Sequence, residues 1–93
     1  MNEYLAGVLD DGADAYKEDM ESLEWGLMRF EVEHVGRIFG HVIDRGYREG
    51  QWLAVHQVYS KGGELHQIDY PFHIDPARIV AVRFADGDEV RGK

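Results

Sequence analysis

The sequence predicts an α+β fold in which an N-terminal acidic helix, or two short helices, precedes a five-stranded antiparallel meander. Two observations predict it. Apolar residues recur at spacings of three and four in the first quarter, and from Leu27 onward they alternate with polar residues. A chain of 93 residues, 44% apolar and without cysteine, fits one small domain that folds without disulfides. Within it we expect a helical segment packed on the sheet at residues 1–26, a β-domain at 27–85 and a flexible tail at 86–93.

The helical segment carries one apolar stripe at helical spacing. We predict a short helix over residues 3–10 and a helix over residues 12–25, either separate or continuous. Asp11 is placed to cap the second helix, and Asp14 adds a carboxylate to its first turn, where the helix dipole favours negative charge. Gly26 is a natural stop. The stripe consists of Ala13, Tyr16, Met20, Leu23 and Leu27.

The strands of the meander follow from alternation of apolar and polar residues and from the turn residues between them. The strongest hairpin signal is the Lys-Gly-Gly-Glu turn at residues 61–64. Pro71 lacks an N–H group, so its strand lies at an edge of the sheet or is interrupted there. The predicted strands lie at residues 28–34, 38–43, 52–59, 65–74 and 79–84.

The order of these elements resembles that of the small SH3-like and Sm-like β-barrels. The resemblance covers about residues 27–85 and rests on two strands, a long loop, a strand, a tight hairpin, a strand, one helical turn and a last strand. It implies a small β-barrel or a strongly bent sheet. The rival architecture is an open antiparallel sheet packed by the N-terminal helix. Small barrels host many unrelated functions, so the fold does not decide the function.

Negative charge is concentrated at the start of the chain. Residues 1–25 carry eight acids and one base, a net of −7, whereas the whole chain carries −8. A helix that served only solubility would interleave lysines for i,i+4 pairs, so the imbalance favours a surface for a basic partner. A solvated outer face is the alternative. The candidate partner-binding residues are Asp10, Asp11, Asp14, Glu18, Asp19, Glu21, Glu24, Trp25 and Tyr47.

We therefore expect a small, non-catalytic protein that binds and blocks a basic partner, such as a nucleic-acid-binding complex. The profile is similar to that of phage anti-CRISPR and other anti-defence inhibitors and of bacterial immunity proteins, which are small, acidic, poor in cysteine and without catalytic motifs. It implies a viral or bacterial nucleic-acid mimic that acts in the cytoplasm. No apolar run is long enough to span a membrane, and the net charge disfavours direct nucleic-acid binding.

Two alternatives remain open. Arg45, Tyr47 and Arg48 lie in a glycine-flanked loop, the 45–48 loop, where a ring and two guanidinium groups suit stacking on a nucleic-acid base or binding of a peptide. The chain would then be a small β-barrel binding module. The other alternative is a homodimer or an assembly subunit that pairs through the edge strand containing Pro71.

The chain also has five histidines, each predicted on a strand. His66 and His73, with Asp69 between them, are the best candidates for a metal site or for a metal-dependent enzyme. The spacing lacks the tight pattern of a strong metal motif, so we expect no metal, no cofactor and no catalytic residue. Whether the histidines converge is left open by the sequence. They are His34, His41, His56, His66 and His73.

Overall fold

The computed structural model describes residues 1–93 and confirms the α+β class. Helix α1 spans Glu3–Glu18, and a short helix, α2, spans Gly87–Arg91 near the end of the chain. Single 3-10 helices lie at Gly46–Glu49 and Pro76–Arg78. Between α1 and α2 the chain forms six strands: β1 Met28–Val32, β2 Gly36–Val42, β3 Leu53–Lys61, β4 Glu64–Gln67, β5 Phe72–Ile74 and β6 Ile79–Phe84.

The six strands form an antiparallel sheet that is mostly a meander and is not closed into a barrel. The strand order is β4-β3-β2-β1-β6, and β5 pairs with β3 next to β4. The predicted strand at 65–74 is therefore two strands, interrupted around Pro71, as one of the two readings of that proline required. Because β6 pairs only with β1, the closure implied by the SH3-like and Sm-like resemblance does not form.

Helix α2 joins the two ends of this open sheet. It follows β6, and its Arg91 Nε donates to the carbonyl oxygen of Gly63 in the β3–β4 turn at 2.8 Å. The Asp86 side chain accepts from the Glu89 N–H and the Glu89 side chain accepts from the Asp86 N–H, which is a capping box. Helix α2 thus connects the β6 end of the sheet to the β3–β4 turn, without pairing between β6 and β4. Where the sequence predicted a flexible tail at 86–93, the structure has a capped helix.

The core lies between α1 and the sheet. In β1 the buried side chains alternate along the strand with half-buried ones, as the period of two requires. Gly12 of α1 sits against the side chain of Met28 and leaves no room for a Cβ. The buried core cluster consists of Leu9, Ala13, Met28, Phe30, Val32, Ile38, Val42, Tyr47, Leu53, Val55 and Ile74.

Helix α1 is one continuous helix. It ends at Glu18, seven residues before the predicted end at residue 25. Asn2 caps it, since its Oδ1 accepts from the N–H of Leu5 at 2.7 Å. Asp11, predicted as a cap, lies inside the helix. With Asn2 as the cap, residues 3–18 complete four turns without a break.

The early end of α1 has a local cause in the side chains that follow it. Asp19 Oδ1 accepts from the N–H of Ser22 at 3.3 Å, and Ser22 Oγ accepts from the N–H of Trp25 at 2.9 Å. Such side-chain acceptors compete with the helical carbonyls and favour a turn. Gly26 then takes a positive φ of 77°, and a Cβ there would lie 2.8 Å from the backbone nitrogen of Tyr16.

Gly26→Ala should destabilise the protein more than Gly36→Ala does. Both glycines have a positive φ, 77° and 97°, but a Cβ at Gly36 meets no atom within 4 Å. The backbone term of about 1–2 kcal/mol is common to both variants, and only Gly26→Ala adds a clash with the Tyr16 backbone. Chemical denaturation gives the two free energies of unfolding. Equal losses would show that residues 19–27 move away from α1 at little cost.

Candidate interaction site

One side of α1 is bonded to the 45–48 loop. Arg48 Nη2 donates to Asp10 Oδ2 at 2.6 Å, and Arg48 Nη1 donates to Glu3 Oε1 at 3.0 Å. Arg45 donates to the carboxylate of Asp14. Glu3, Asp10 and Asp14 of the helix are therefore paired with two arginines of the same chain.

Asp10 is the centre of this network. The hydroxyl of Tyr47 donates to Asp10 Oδ1 at 2.6 Å, alongside Arg48. The donors of Arg48, and then the Tyr47 hydroxyl, hold the pKa of the Asp10 carboxyl below its usual range. Burial, together with the bond to the Asp10 carboxylate, raises the pKa of Tyr47.

Tyr47 is placed differently from the sequence prediction. It was expected at the surface as a partner contact, but it is only 4% exposed and belongs to the core cluster. Its ring packs inward with the core, and its hydroxyl bonds to the half-buried carboxylate of Asp10, which lies far away in the sequence. The 45–48 loop is thus bonded to part of the predicted acidic surface, through Asp10 and Asp14.

The remaining predicted acids face outward. Asp11, Glu18, Asp19 and Glu21 are exposed, and none of them forms an ion pair. Glu24 is exposed and lies 3.7 Å from Arg91 Nη1. The acidic surface available to another molecule therefore begins at the middle of α1 and continues into residues 19–24.

An apolar pocket of about 370 Å³ opens beside these acids, and we call it the Trp25 pocket. Trp25, 54% exposed, lines it together with Phe84, 46% exposed, at the end of β6. The turn at residues 19–27 carries Trp25 back over α1, so that the indole lies close to Ala15. The pocket is lined by Ala15, Glu24, Trp25, Gly26, Phe84 and Ala85.

Two carboxylates hold the walls of the Trp25 pocket. The indole Nε1 of Trp25 donates to Glu18 Oε2 at 3.1 Å, which fixes the ring against the end of α1. Glu24 Oε1 accepts from the backbone N–H of Gly87 at 3.1 Å and so ties residues 19–27 to α2. Hydrogen bonds from two carboxylates therefore hold residues on both sides of the pocket, and these carboxylates border it.

Phe84 was not among the predicted site residues. It ends the last predicted strand, and sequence reasoning counted it only as a strand residue. Its position beside Trp25 follows from the pairing of Met28 with Phe84, which brings the end of β6 to the start of β1. The available signal was an aromatic residue at a strand end next to a turn, which by itself does not reveal its neighbour.

Two of the five histidines converge. His41 is fully buried, and its ring stacks on Tyr16 with centroids 4.9 Å apart. His41 Nδ1 lies 2.6 Å from Gln67 Oε1, while its Nε2 has no hydrogen-bond partner. His56, paired with His41 across β2 and β3, meets the edge of the Tyr16 ring at 6.5 Å. Burial lowers the pKa of His41, because it disfavours the charged imidazolium.

The other histidines lie apart. His34 is in the turn after β1 with a φ of 66°, and His66 stacks on Tyr59 with centroids 5.4 Å apart. His73 is exposed in β5. No group of three or more histidines, aspartates or glutamates lies close enough to hold a metal ion, so the candidate set of His66, His73 and Asp69 does not come together.

Comparison of the chain with protein-family models, with curated proteins and with solved structures gave no match. Neither helix of the structure has the length and the apolar character that crossing a membrane requires.

Asp10→Asn should lower the free energy of unfolding by about 1–3 kcal/mol, because it weakens the bonds to Tyr47 and Arg48. Asp11→Asn, at the exposed neighbouring position, should change it by no more than about 0.5 kcal/mol. The folded pKa of Asp10 is lowered, so its stabilisation is complete above the unfolded pKa near 3.8 and is lost as the pH falls through the folded value. The gap between wild type and Asp10→Asn should therefore narrow in acid. Urea denaturation across pH measures this gap, and a loss as large in Asp11→Asn would contradict the assignment.

His41 should make the protein less stable below about pH 6.5. Its folded pKa is lowered, so the unfolded chain binds the proton more readily, and stability falls as the pH drops below the unfolded value. Urea denaturation between about pH 5 and 7 should show that the free energy of unfolding of the wild type falls as the pH falls, with a shallower slope in His41→Gln. The exposed variant His34→Gln is the control for the substitution. An unchanged slope in His41→Gln would rule out His41 as its source.

Proposed function

We propose that this is a non-catalytic interaction protein that binds a basic protein partner through the Trp25 pocket and the carboxylates beside it. The observation that carries the proposal is the Trp25 pocket itself. Two large aromatic side chains, Trp25 and Phe84, are about half exposed and line the same opening, next to Glu18 and Glu24. Aromatic anchors in a rigid pocket with a polar rim are typical of interaction hot spots.

The distribution of charge supports a basic partner. Glu3, Asp10 and Asp14 form ion pairs with Arg45 and Arg48. Asp11, Glu18 and Glu21 have no cationic group within ion-pair distance. Lys17 is the only base in residues 1–25. An uncompensated acidic patch speeds the encounter with a basic surface and repels nucleic acid.

Binding through this surface would also block the partner's binding of nucleic acid. A protein that binds nucleic acid does so by neutralising phosphates with Lys and Arg. Carboxylates that occupy those side chains compete with the phosphates, so the bound partner loses its nucleic acid. The Trp25 pocket would contribute the apolar contact that slows dissociation.

The alternative of a binding module, in which the 45–48 loop binds a nucleic-acid base or a peptide, has less support. Tyr47 is buried, and Arg45 and Arg48 are already bonded to acids of α1. Binding at this loop would first have to break those bonds.

Two kinds of substitution should affect a captured partner differently. The triple variant Asp11→Asn, Glu18→Gln, Glu21→Gln should lower the association rate about tenfold at low salt, because it removes the steering charge. Trp25→Ala should raise the dissociation rate about tenfold or more, because it removes the anchor. The partner is captured from bacterial lysate on wild type, purified, and measured by surface plasmon resonance at two salt concentrations.

The matched control for charge is the triple variant Glu49→Gln, Glu64→Gln, Asp69→Asn. It removes the same charge from exposed positions outside the Trp25 pocket. Its association rate should stay close to that of wild type. If the control slows association as much as the α1 triple does, only the net charge matters. If Trp25→Ala leaves dissociation unchanged, the pocket has no role in binding.

A further inference from the structure

We infer that the partner presents an extended segment, which adds as a further antiparallel strand to the open edge of β6. The inference rests on the proposed function and specifies how the basic partner is held. Strand β6 has the sequence Ile-Val-Ala-Val-Arg-Phe and pairs on one side only, with β1. Natural edge strands are usually protected by charges, proline or a cover, and this one carries a single charge.

The backbone of β6 has free hydrogen-bonding groups on its outer side. The N–H of Ala85 donates to the carbonyl of Leu27 at 2.9 Å, so in the antiparallel ladder Arg83 turns to β1, whereas Val82 and Phe84 turn outward. Arg83 Nη1 donates to the carbonyl of Phe84 at 3.0 Å. Both polar groups of Val82 and the N–H of Phe84 remain for an added strand.

Two pockets flank this edge, both between α1 and β6. The Trp25 pocket includes Phe84 and Ala85 at one end. A second pocket of about 280 Å³, which we call the Tyr4 pocket, lies at the other end. It is lined by Asn2, Tyr4, Leu5, Ile79, Val80, Ala81 and Val82.

The distance between the two pockets matches the distance between side chains on the same face of a strand. Residues 84–85 line one pocket and residues 79–82 line the other, so the two sets are centred about four positions apart, which is about 13 Å along a strand. An added strand would place the side chains of residues i and i+4 in the two pockets. The residue between them, i+2, would lie opposite Val82.

The side chain at position i+2 should be basic. On α1, Tyr4, Asp11 and Ala15 belong to one row at spacings of seven and four. Tyr4 and Ala15 line the two pockets, and Asp11, which comes between them in this row, is exposed and forms no ion pair. This charge favours a Lys or Arg in the partner. It disfavours a second copy of the chain, because antiparallel pairing of two β6 edges would bring two such acidic rows together.

The test uses the full-length protein and a short synthetic peptide with Phe, Lys and Val at alternate positions and Thr between them. In NMR titration, the amides of Val82 and Phe84 should shift and become protected from hydrogen exchange. N-methylation of the peptide's Lys nitrogen, which faces Val82, should weaken binding about tenfold, while N-methylation of a Thr nitrogen, which faces away, should have little effect. Asp11→Asn should weaken binding of the Lys peptide and leave binding of the same peptide with Gln in place of Lys unchanged.

Failure of the strand mode is distinguishable from failure of the proposed function. Equal loss from the two N-methylated peptides, or no binding of the parent peptide, overturns strand addition. The proposed function then stands or falls on the Trp25→Ala and acid-variant rates with the captured partner. Concentration-dependent shifts of Val82 and Phe84 without peptide would show that a second copy occupies the edge, which also overturns the inference.

Discussion

The structure depends on one carboxylate, that of Asp10. It accepts from the hydroxyl of Tyr47 and from the guanidinium of Arg48, and so fixes α1 to the loop that follows β2. These bonds add a specific orientation to the apolar contact that Leu9 and Ala13 make with the sheet. They also divide the acidic helix into two sides. Glu3, Asp10 and Asp14 are bonded to arginines of the same chain, whereas Asp11, Glu18, Asp19 and Glu21 are exposed and form no ion pair.

The turn at residues 19–27 places an aromatic side chain beside the exposed acids of α1. Ser22 and Gly26 reverse the chain directly after α1, so the indole of Trp25 returns to the helix and bonds to Glu18. The end of β6 brings Phe84 to the same place through its pairing with Met28. An apolar opening with an acidic rim therefore lies where the outer side of the helix meets the open edge of the sheet.

Local patterns predicted much of the fold, because they carry their own physical signal. The change of period at Leu27, the glycine turn at 61–64 and the break at Pro71 all appear in the structure. The helix end was wrong, since Met20 and Leu23 fit helical spacing although Ser22 and Asp19 favour a turn. The capping box of α2 was readable in the sequence, but the helix is only five residues long.

What the sequence could not supply are contacts between distant segments. The burial of Tyr47 depends on Asp10, and the open sheet depends on β6 finding no second strand. The same limit applies to the site: Glu18, Glu24 and Trp25 were predicted as contact residues, whereas Phe84 was missed because its neighbour is far away in the chain. A histidine count likewise could not show that only His41 and His56 would meet, on the ring of Tyr16.

The most direct measurement is a hydrogen-exchange footprint of the captured partner on the protein. The account predicts protection at residues 18–26 and 79–85 and none at 45–50, whereas protection centred on 45–50 would contradict it.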